Sequence, residues 1–244
     1  MGDYAGQVER ALIWGGLYFG VWIIQRLWCN FGLPENCEVA TEPLDVLTDL
    51  LVLFTFSLVQ AWWCELLEKN RWEDTIKKPW VFGVVPVTAI IISALGRIRG
   101  LEPWEYKHPG KDFEFSGVRS MLFILGLIAV VFFVLWHFAR AYKTLEGTFF
   151  VSGGKGENVE TPEVNSHAIY TRSRVVLVLW VILFTCFLIF EDNGFDYRGA
   201  LLAWALSLLA VFPAPVSLLW LGVTTGIYIQ GIGSNRLRFL GCDP

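Results

Sequence analysis

The sequence predicts an all-α fold, a polytopic transmembrane helical bundle, and three observations lead to that prediction. Hydrophobic residues make up 55% of the 244 residues and charged residues only 17%, whereas soluble domains are about a quarter charged. The stretch from Ser120 to Phe138 is almost entirely apolar, and it is about as long as a helix that crosses a bilayer. Other stretches repeat that pattern, and their connections leave no room for a separate soluble domain. We therefore expect one integral membrane domain over residues 1–244.

Six spans are the preferred interpretation of these stretches. They lie at about residues 11–28, 44–67, 79–95, 117–140, 174–191 and 199–233. A polar loop at about residues 143–173, which we expect on the inside, separates the fourth span from the fifth. The bilayer is therefore an expected partner of the chain.

The first span contains Gly16 and Gly20, a pair of small residues that allows a neighbouring helix to approach closely. Arg26 lies near the end of this span, where we interpret it as an anchor that reaches the headgroups. The loop that follows has no lysine or arginine, which places it outside by the positive-inside rule. Cys29 and Cys37 border or lie in this loop, and both a disulfide bond and two unpaired cysteines remain open.

The second span begins after Pro43, a residue suited to the first turn of a helix. Asp45 and Asp49 lie one turn apart in its first two turns. Acidic residues favour helix N-termini, and we prefer this interpretation to a cation vestibule. The cationic segment at residues 69–78 marks an inside loop. The third span contains Pro86, at which we expect a kink.

The fourth span ends with His137, the only histidine in or near a predicted span. A histidine at this position could in principle ligate haem or relay protons. A bis-histidine haem site needs a second histidine at membrane depth, and His108 and His167 both lie in predicted loops. We therefore interpret His137 as an interfacial residue at a helix end.

The last stretch, Gly199–Gly233, has no charged residue and is longer than one helix needs to cross a bilayer. Pro213 and Pro215 lie near its middle. It is either one kinked helix, which gives six spans, or a hairpin broken at the prolines, which gives seven. The distribution of lysine and arginine favours six spans, with both termini on the cytoplasmic or equivalent side. Gly222 and Gly226 provide a second face for close helix packing.

The sequence excludes several classes of function. No ionisable residue lies near the middle of a predicted span, and this argues against a proton-coupled pump. Thr224, Thr225 and Gln230 are uncharged polar residues of the last stretch. Three scattered histidines do not form a zinc site. No basic cluster is dense enough to bind nucleic acid. We predict no catalytic, cofactor-binding or metal-binding residue, and no cofactor.

These exclusions favour a non-catalytic integral subunit or scaffold of a larger membrane complex, which would have other membrane subunits as its partners. One alternative is a channel or transporter for a neutral or weakly polar solute, in which the proline-broken last stretch forms the pathway. A second alternative is a membrane enzyme that acts on lipid.

Overall fold

The computed structural model describes residues 4–31, 43–95, 117–149, 177, 180 and 196–234. All the regular secondary structure in these ranges is α-helical, which confirms the predicted helical class for this part of the chain. Its seven helices are α1 Tyr4–Asn30, α2 Pro43–Trp63, α3 Lys69–Ile76, α4 Trp80–Leu95, α5 Gly117–Phe149, α6 Asp196–Ser207 and α7 Pro215–Ser234. The predicted fifth span lies outside the described ranges, apart from its helical residues 177 and 180.

Two of the described helices, α2 and α7, are each long and apolar enough to cross a membrane. A third candidate is the pair α3 and α4, whose axes are bent by 70° at the break between them. A shorter apolar helical segment runs from Ile124 to Arg140 within α5. The described residues therefore fit a helical membrane protein with two or three candidate spans, and the predicted number of six is not confirmed.

α1, α4 and α7 run in the same direction, and the contacts along them show this. Trp14 meets Phe82 near the start of α4, whereas Gln25 meets Ser93 near its end. Gly233, in the last turn of α7, also lies against Gln25. The ends of all three helices are therefore close together.

α2 runs in the opposite direction to α1. Arg26 pairs with Asp49 near the start of α2, and Trp14 meets Gln60 near its end. The start of α1, the end of α2, all of α3 and the start of α4 consequently lie at one end of the bundle. We call this the basic end for its lysine and arginine side chains, namely Arg10, Lys69, Arg71, Lys77 and Lys78. It also carries the acidic residues Glu9, Glu65, Glu68, Glu73 and Asp74.

The stretch predicted as a last span at residues 199–233 is divided into two helices. α6 ends at Ser207, α7 begins at Pro215, and the connection between them, residues 208–214, is not helical. Pro215 occupies the first position of α7, where its fixed φ suits a helix start and its missing N–H removes no helical bond. The structure thus has a break at the prolines rather than a single kinked helix.

α6 and α7 form an antiparallel hairpin. Ala200, early in α6, lies against Gly231, late in α7. Near the other end of the hairpin, the indole N–H of Trp220 donates to the carbonyl of Leu206 at 3.1 Å. α6 therefore runs towards the basic end and α7 runs away from it.

Tyr4 starts α1 at the basic end, and Ser234 ends α7 at the opposite end. The chain beyond Ser234 lies outside the described residues, and the prediction that both termini lie on the same side is not confirmed.

α2 ends at Trp63, short of the predicted boundary at residue 67, because a Schellman-type turn stops it. The N–H of Leu66 donates to the carbonyl of Ala61 at 2.8 Å, which is the long-range bond of that motif. Glu65 provides the left-handed residue that the motif requires, with a φ of 60°. A glutamate occupies a position where glycine is the usual residue.

Two other predicted boundaries also differ from the structure. The inside loop at residues 69–78 contains α3, whose buried face carries Arg71, Trp72 and Thr75. The fourth span was expected to end at residue 140, but α5 continues to Phe149. α5 thus continues past the apolar run into a more polar stretch of the sequence.

Candidate functional site: a buried polar network in the bundle

The most extensive polar contacts in the described bundle converge on the fully buried side chain of Gln60, near the end of α2. Its Oε1 accepts hydrogen bonds from the indole N–H of Trp14 at 3.0 Å and from the hydroxyl of Tyr18 at 2.5 Å. Its Nε2 donates to Ser207 Oγ and, at 3.0 Å, to Thr225 Oγ1. These contacts join α2 to α1, α6 and α7.

Gln60 thereby uses all four of its hydrogen-bonding positions, two as acceptor and two as donor. The orientation of the amide is fixed by Trp14, since an indole N–H can only donate and must face Oε1. Ser207 fits the opposite side, because its hydroxyl proton is given to the carbonyl of Trp204 at 2.5 Å. No hydrogen-bonding position of this amide is left for a ligand.

Aromatic rings surround the network, and its side chains are buried. The ring of Tyr18 lies 6.0 Å from the ring of Tyr228, and Phe56 stacks on Tyr228 at 5.6 Å. Trp14 meets Phe82 edge-on at 6.3 Å. In such a low-dielectric setting, satisfied hydrogen bonds are strong and unsatisfied ones are costly.

Arg26 and Asp49 form an ion pair between α1 and α2, nearer the opposite end of the bundle. The side chain of Asp49 is 1% exposed and that of Arg26 is 12% exposed. The guanidinium also lies over the ring of Trp22, 4.9 Å from its centroid. The sequence had indicated two separate roles, an interfacial anchor and a helix N-terminal carboxylate, whereas the structure brings the two charges together.

Three cations at the basic end donate to backbone carbonyls where the chain reverses. Arg10 donates to the carbonyl of Leu67 at 2.6 Å. Arg71 donates to the carbonyl of Ala210 at 3.1 Å, and Lys78 to that of Pro213 at 2.6 Å. The last two stabilise the connection between α6 and α7, whose backbone groups lack helical partners.

The predicted packing glycines fall into two sets. Gly222 and Gly226 lie against α4, and a Cβ at Gly226 would be 2.6 Å from the carbonyl oxygen of Val85. A Cβ at Gly16 or Gly20 would meet no atom within 4 Å. Gly222 and Gly226 therefore allow close packing between two helices of this chain. Gly16 and Gly20 face away from the other described helices.

The predicted disulfide can be located at only one of its two residues. Cys29 is disulfide-bonded in the structure, and Cys37 lies outside the described residues. The sulfur of Cys29 is 3.8 Å from the carbonyl oxygen of Gly233, a contact rather than a hydrogen bond because a disulfide sulfur carries no proton. The pairing of Cys29 with Cys37 stays a prediction.

His137 is not at an exposed helix end, as the sequence had suggested. It is 1% exposed, lies inside α5, and packs against Phe133 and Phe212, whose ring centroids are 6.2 Å and 5.0 Å from its own. Among the described residues, no group of three or more His, Cys, Asp and Glu side chains could hold a metal ion.

Sequence reasoning missed Gln60 and Ser207 as members of the network. Gln60 lies close to the polar end of the second predicted span, where a polar side chain attracts no notice. Thr225 was noted only as an uncharged polar residue. The apolar runs of the sequence contain tryptophan, tyrosine and glutamine, and each of these side chains needs a hydrogen-bond partner when it is buried. Their presence in predicted spans could have indicated a buried polar network.

Comparison with known proteins finds no family model, no curated protein and no solved structure that matches this chain.

Proposed function

We propose that this chain is a non-catalytic integral membrane subunit that assembles with other membrane proteins. The observation that carries the proposal is that the polar groups of the Gln60 network and of the Arg26–Asp49 pair are bound to one another. Gln60 bonds to four side chains of the same chain, and Arg26 and Asp49 neutralise each other. A transport path or an active site requires polar groups that exchange partners with a solute, and these groups are bound to one another.

The outer face of α1 supports an assembly role. Gly16 and Gly20 leave a shallow surface there, and exposed apolar side chains border it, namely Leu12, Ile13, Phe19 and Ile23. Small residues allow the backbones of two membrane helices to approach closely. We therefore propose that a helix of another subunit packs on this face.

The proposed topology has seven crossings. α6 is about 18 Å long at 1.5 Å per residue, shorter than the ~30 Å core of a bilayer. The buried connection that follows α6 completes its crossing. The predicted span at residues 174–191 supplies the crossing between α5 and α6. We place the basic end, including the N-terminus, on the cytoplasmic or equivalent side because of the cationic segment at residues 69–78.

The test is a native gel of the source membrane in a mild detergent, with mass spectrometry along the lane. The proposal expects the chain to migrate within an assembly much larger than its own mass of 27.7 kDa. Migration as a monomer or a small homo-oligomer would contradict it. In that case flux assays on the reconstituted chain become the next experiment.

A second candidate function, a channel or transporter for a neutral or weakly polar solute, is favoured by the broken helix. Residues 208–211 are buried but not helical, and non-helical backbone at membrane depth often lines binding sites in transporters. Replacing Pro213 and Pro215 together by alanine should then change flux in proteoliposomes. Absence of flux from the wild-type chain would remove this candidate.

A further inference from the structure

We propose that the N-terminus of α7 is a binding site for a phosphate group at the basic end of the bundle. The start of a helix carries a partial positive charge and free amide N–H groups, and it therefore attracts anions. The first bond recorded at the start of α7 is donated by the N–H of Leu218 to the carbonyl of Ala214 at 3.1 Å. The amides of Val216 and Ser217 precede that bond and lie in the turn whose N–H groups have no helical acceptor.

The hydroxyl of Ser217 is the second, independent observation. This side chain is 0% exposed, and its Oγ has no hydrogen-bond partner among the residues that the structure describes. Side chains in a helix lean towards its N-terminus, so the hydroxyl of the third residue of α7 points towards the first turn. A buried hydroxyl without a partner is unfavourable by itself, which indicates that a ligand completes the site.

Lys78 provides a cation at the start of α7. Its ammonium group donates to the carbonyl of Pro213, two residues before the helix begins, at 2.6 Å. The ammonium group of Lys78 therefore lies at the start of α7 and retains further N–H donors, since it has three.

The surroundings provide both charge and access. Arg71 adds a second cation by its bond to the carbonyl of Ala210, earlier in the same connection. Pro213, Pro215 and Val216 are exposed, and Lys78 is half-buried. An oxyanion can thus approach from the surface of the basic end and meet a lysine and two amides, with the buried hydroxyl of Ser217 behind them. Phosphate presents several acceptor oxygens, which suits this set of donors.

The phosphate could belong to a lipid headgroup or be free in solution, and the experiment separates the two sources. The full-length protein is purified in an uncharged detergent, and its thermal unfolding midpoint is measured with added dioleoyl phosphatidic acid, dioleoyl phosphatidylcholine or inorganic phosphate. We expect phosphatidic acid to raise the midpoint by about 3 °C or more. A similar rise with inorganic phosphate indicates a site for the free ion, and no such rise indicates a site for the headgroup. Either result supports the proposal.

Three variants make the test specific. Ser217→Ala removes the hydroxyl, and Lys78→Gln removes the charge but keeps a donor for Pro213. Lys77→Gln is the matched control, because Lys77 is the neighbouring lysine and pairs with Asp74 at 3.6 Å. Each shift is measured against the ligand-free midpoint of the same variant. We expect Ser217→Ala and Lys78→Gln to lose at least half of the shift and Lys77→Gln to keep it.

Two results would overturn the proposal. Equal losses in Lys77→Gln and Lys78→Gln would mean that only diffuse charge attracts the lipid. A full shift in Ser217→Ala, or no shift in the wild-type protein with either phosphate source, would mean that the start of α7 binds no phosphate. None of these results depends on whether the chain is a subunit of an assembly, so the outcome is separate from that of the native gel.

Discussion

The side-chain amide of Gln60 donates to the hydroxyl of Thr225 at 3.0 Å, across 165 positions of sequence. This bond joins α2 to the second helix of the hairpin formed by α6 and α7. It belongs to a network whose donors and acceptors match in number around one amide. The hairpin is thus held by directional bonds in addition to the packing of apolar side chains.

Replacing Gln60 by methionine should destabilise the fold strongly. Methionine has a similar shape but no amide, so the buried indole N–H of Trp14 and the hydroxyl of Tyr18 would lose their acceptor. Each orphaned buried group is unfavourable by about 1–3 kcal/mol. We expect a total loss on the order of 3 kcal/mol, which thermal unfolding in detergent would detect. Gln7→Met, at a half-buried position of α1, is the control and should change stability by less than about 0.5 kcal/mol.

The Arg26–Asp49 pair should show strong non-additivity. Asp49→Leu leaves the guanidinium of Arg26 in a mostly buried position without its carboxylate, a situation that is typically unfavourable by about 3–5 kcal/mol. Adding Arg26→Met removes the remaining charge and should recover most of that loss. Unfolding midpoints of the two single variants and the double variant give the coupling. Additive losses would contradict a direct pair, and Asp45→Asn serves as a nearby control.

Glu65→Gly should stabilise the protein. Glu65 holds the left-handed position of the turn that ends α2, where a side chain is strained and glycine is not. We expect a gain of about 0.5–1 kcal/mol, since the greater freedom of glycine in the unfolded chain offsets part of the relief. Glu65→Ala keeps the strain and should give no gain. An equal gain in both variants would show that charge, rather than backbone strain, is the cause.

Gly226→Ala and Gly16→Ala should have opposite effects. A Cβ at residue 226 would be 2.6 Å from the carbonyl oxygen of Val85 and 2.8 Å from the Cβ of Thr88, so α4 and α7 must separate. We expect a loss of about 2 kcal/mol or more, because overpacking forces backbone shifts. A Cβ at residue 16 would have no atom within 4 Å. Alanine at this position should therefore raise stability by up to about 1 kcal/mol, because its helix propensity is higher than that of glycine. Unfolding midpoints of the two variants test this contrast.

The helices of the fold were largely predictable, because long apolar runs bounded by charge show clearly in the sequence. The residue at which α6 ends could not be predicted in this way. Pro213 and Pro215 indicated a break, but α6 stops earlier, at Ser207, where the side chain and carbonyl of that residue bond to Gln60 and Cys64. These are tertiary contacts between segments far apart in sequence, and no local pattern encodes them.

The same reason limited the prediction of the site. Arg26 and Asp49 each lie near the end of a predicted span, and a charge at that place is ordinarily explained by the membrane surface alone. Their pairing depends on the angle and depth at which α1 meets α2. Gly16 and Gly222 share one motif in sequence, yet only the packed bundle shows that one faces outward and the other faces α4.

The most direct test of the assembly role combines two measurements on the variant Gly16→Leu with Gly20→Leu. Its apparent mass on a native gel and its unfolding midpoint after purification are compared with those of the wild-type protein. The proposed role predicts a smaller apparent mass, because leucines would block a partner helix, together with a midpoint that is equal to or higher than that of the wild-type protein, because leucine favours a helix more than glycine does. An assembly of unchanged size, with a midpoint no lower than that of the wild-type protein, would contradict a partner interface on this face of α1.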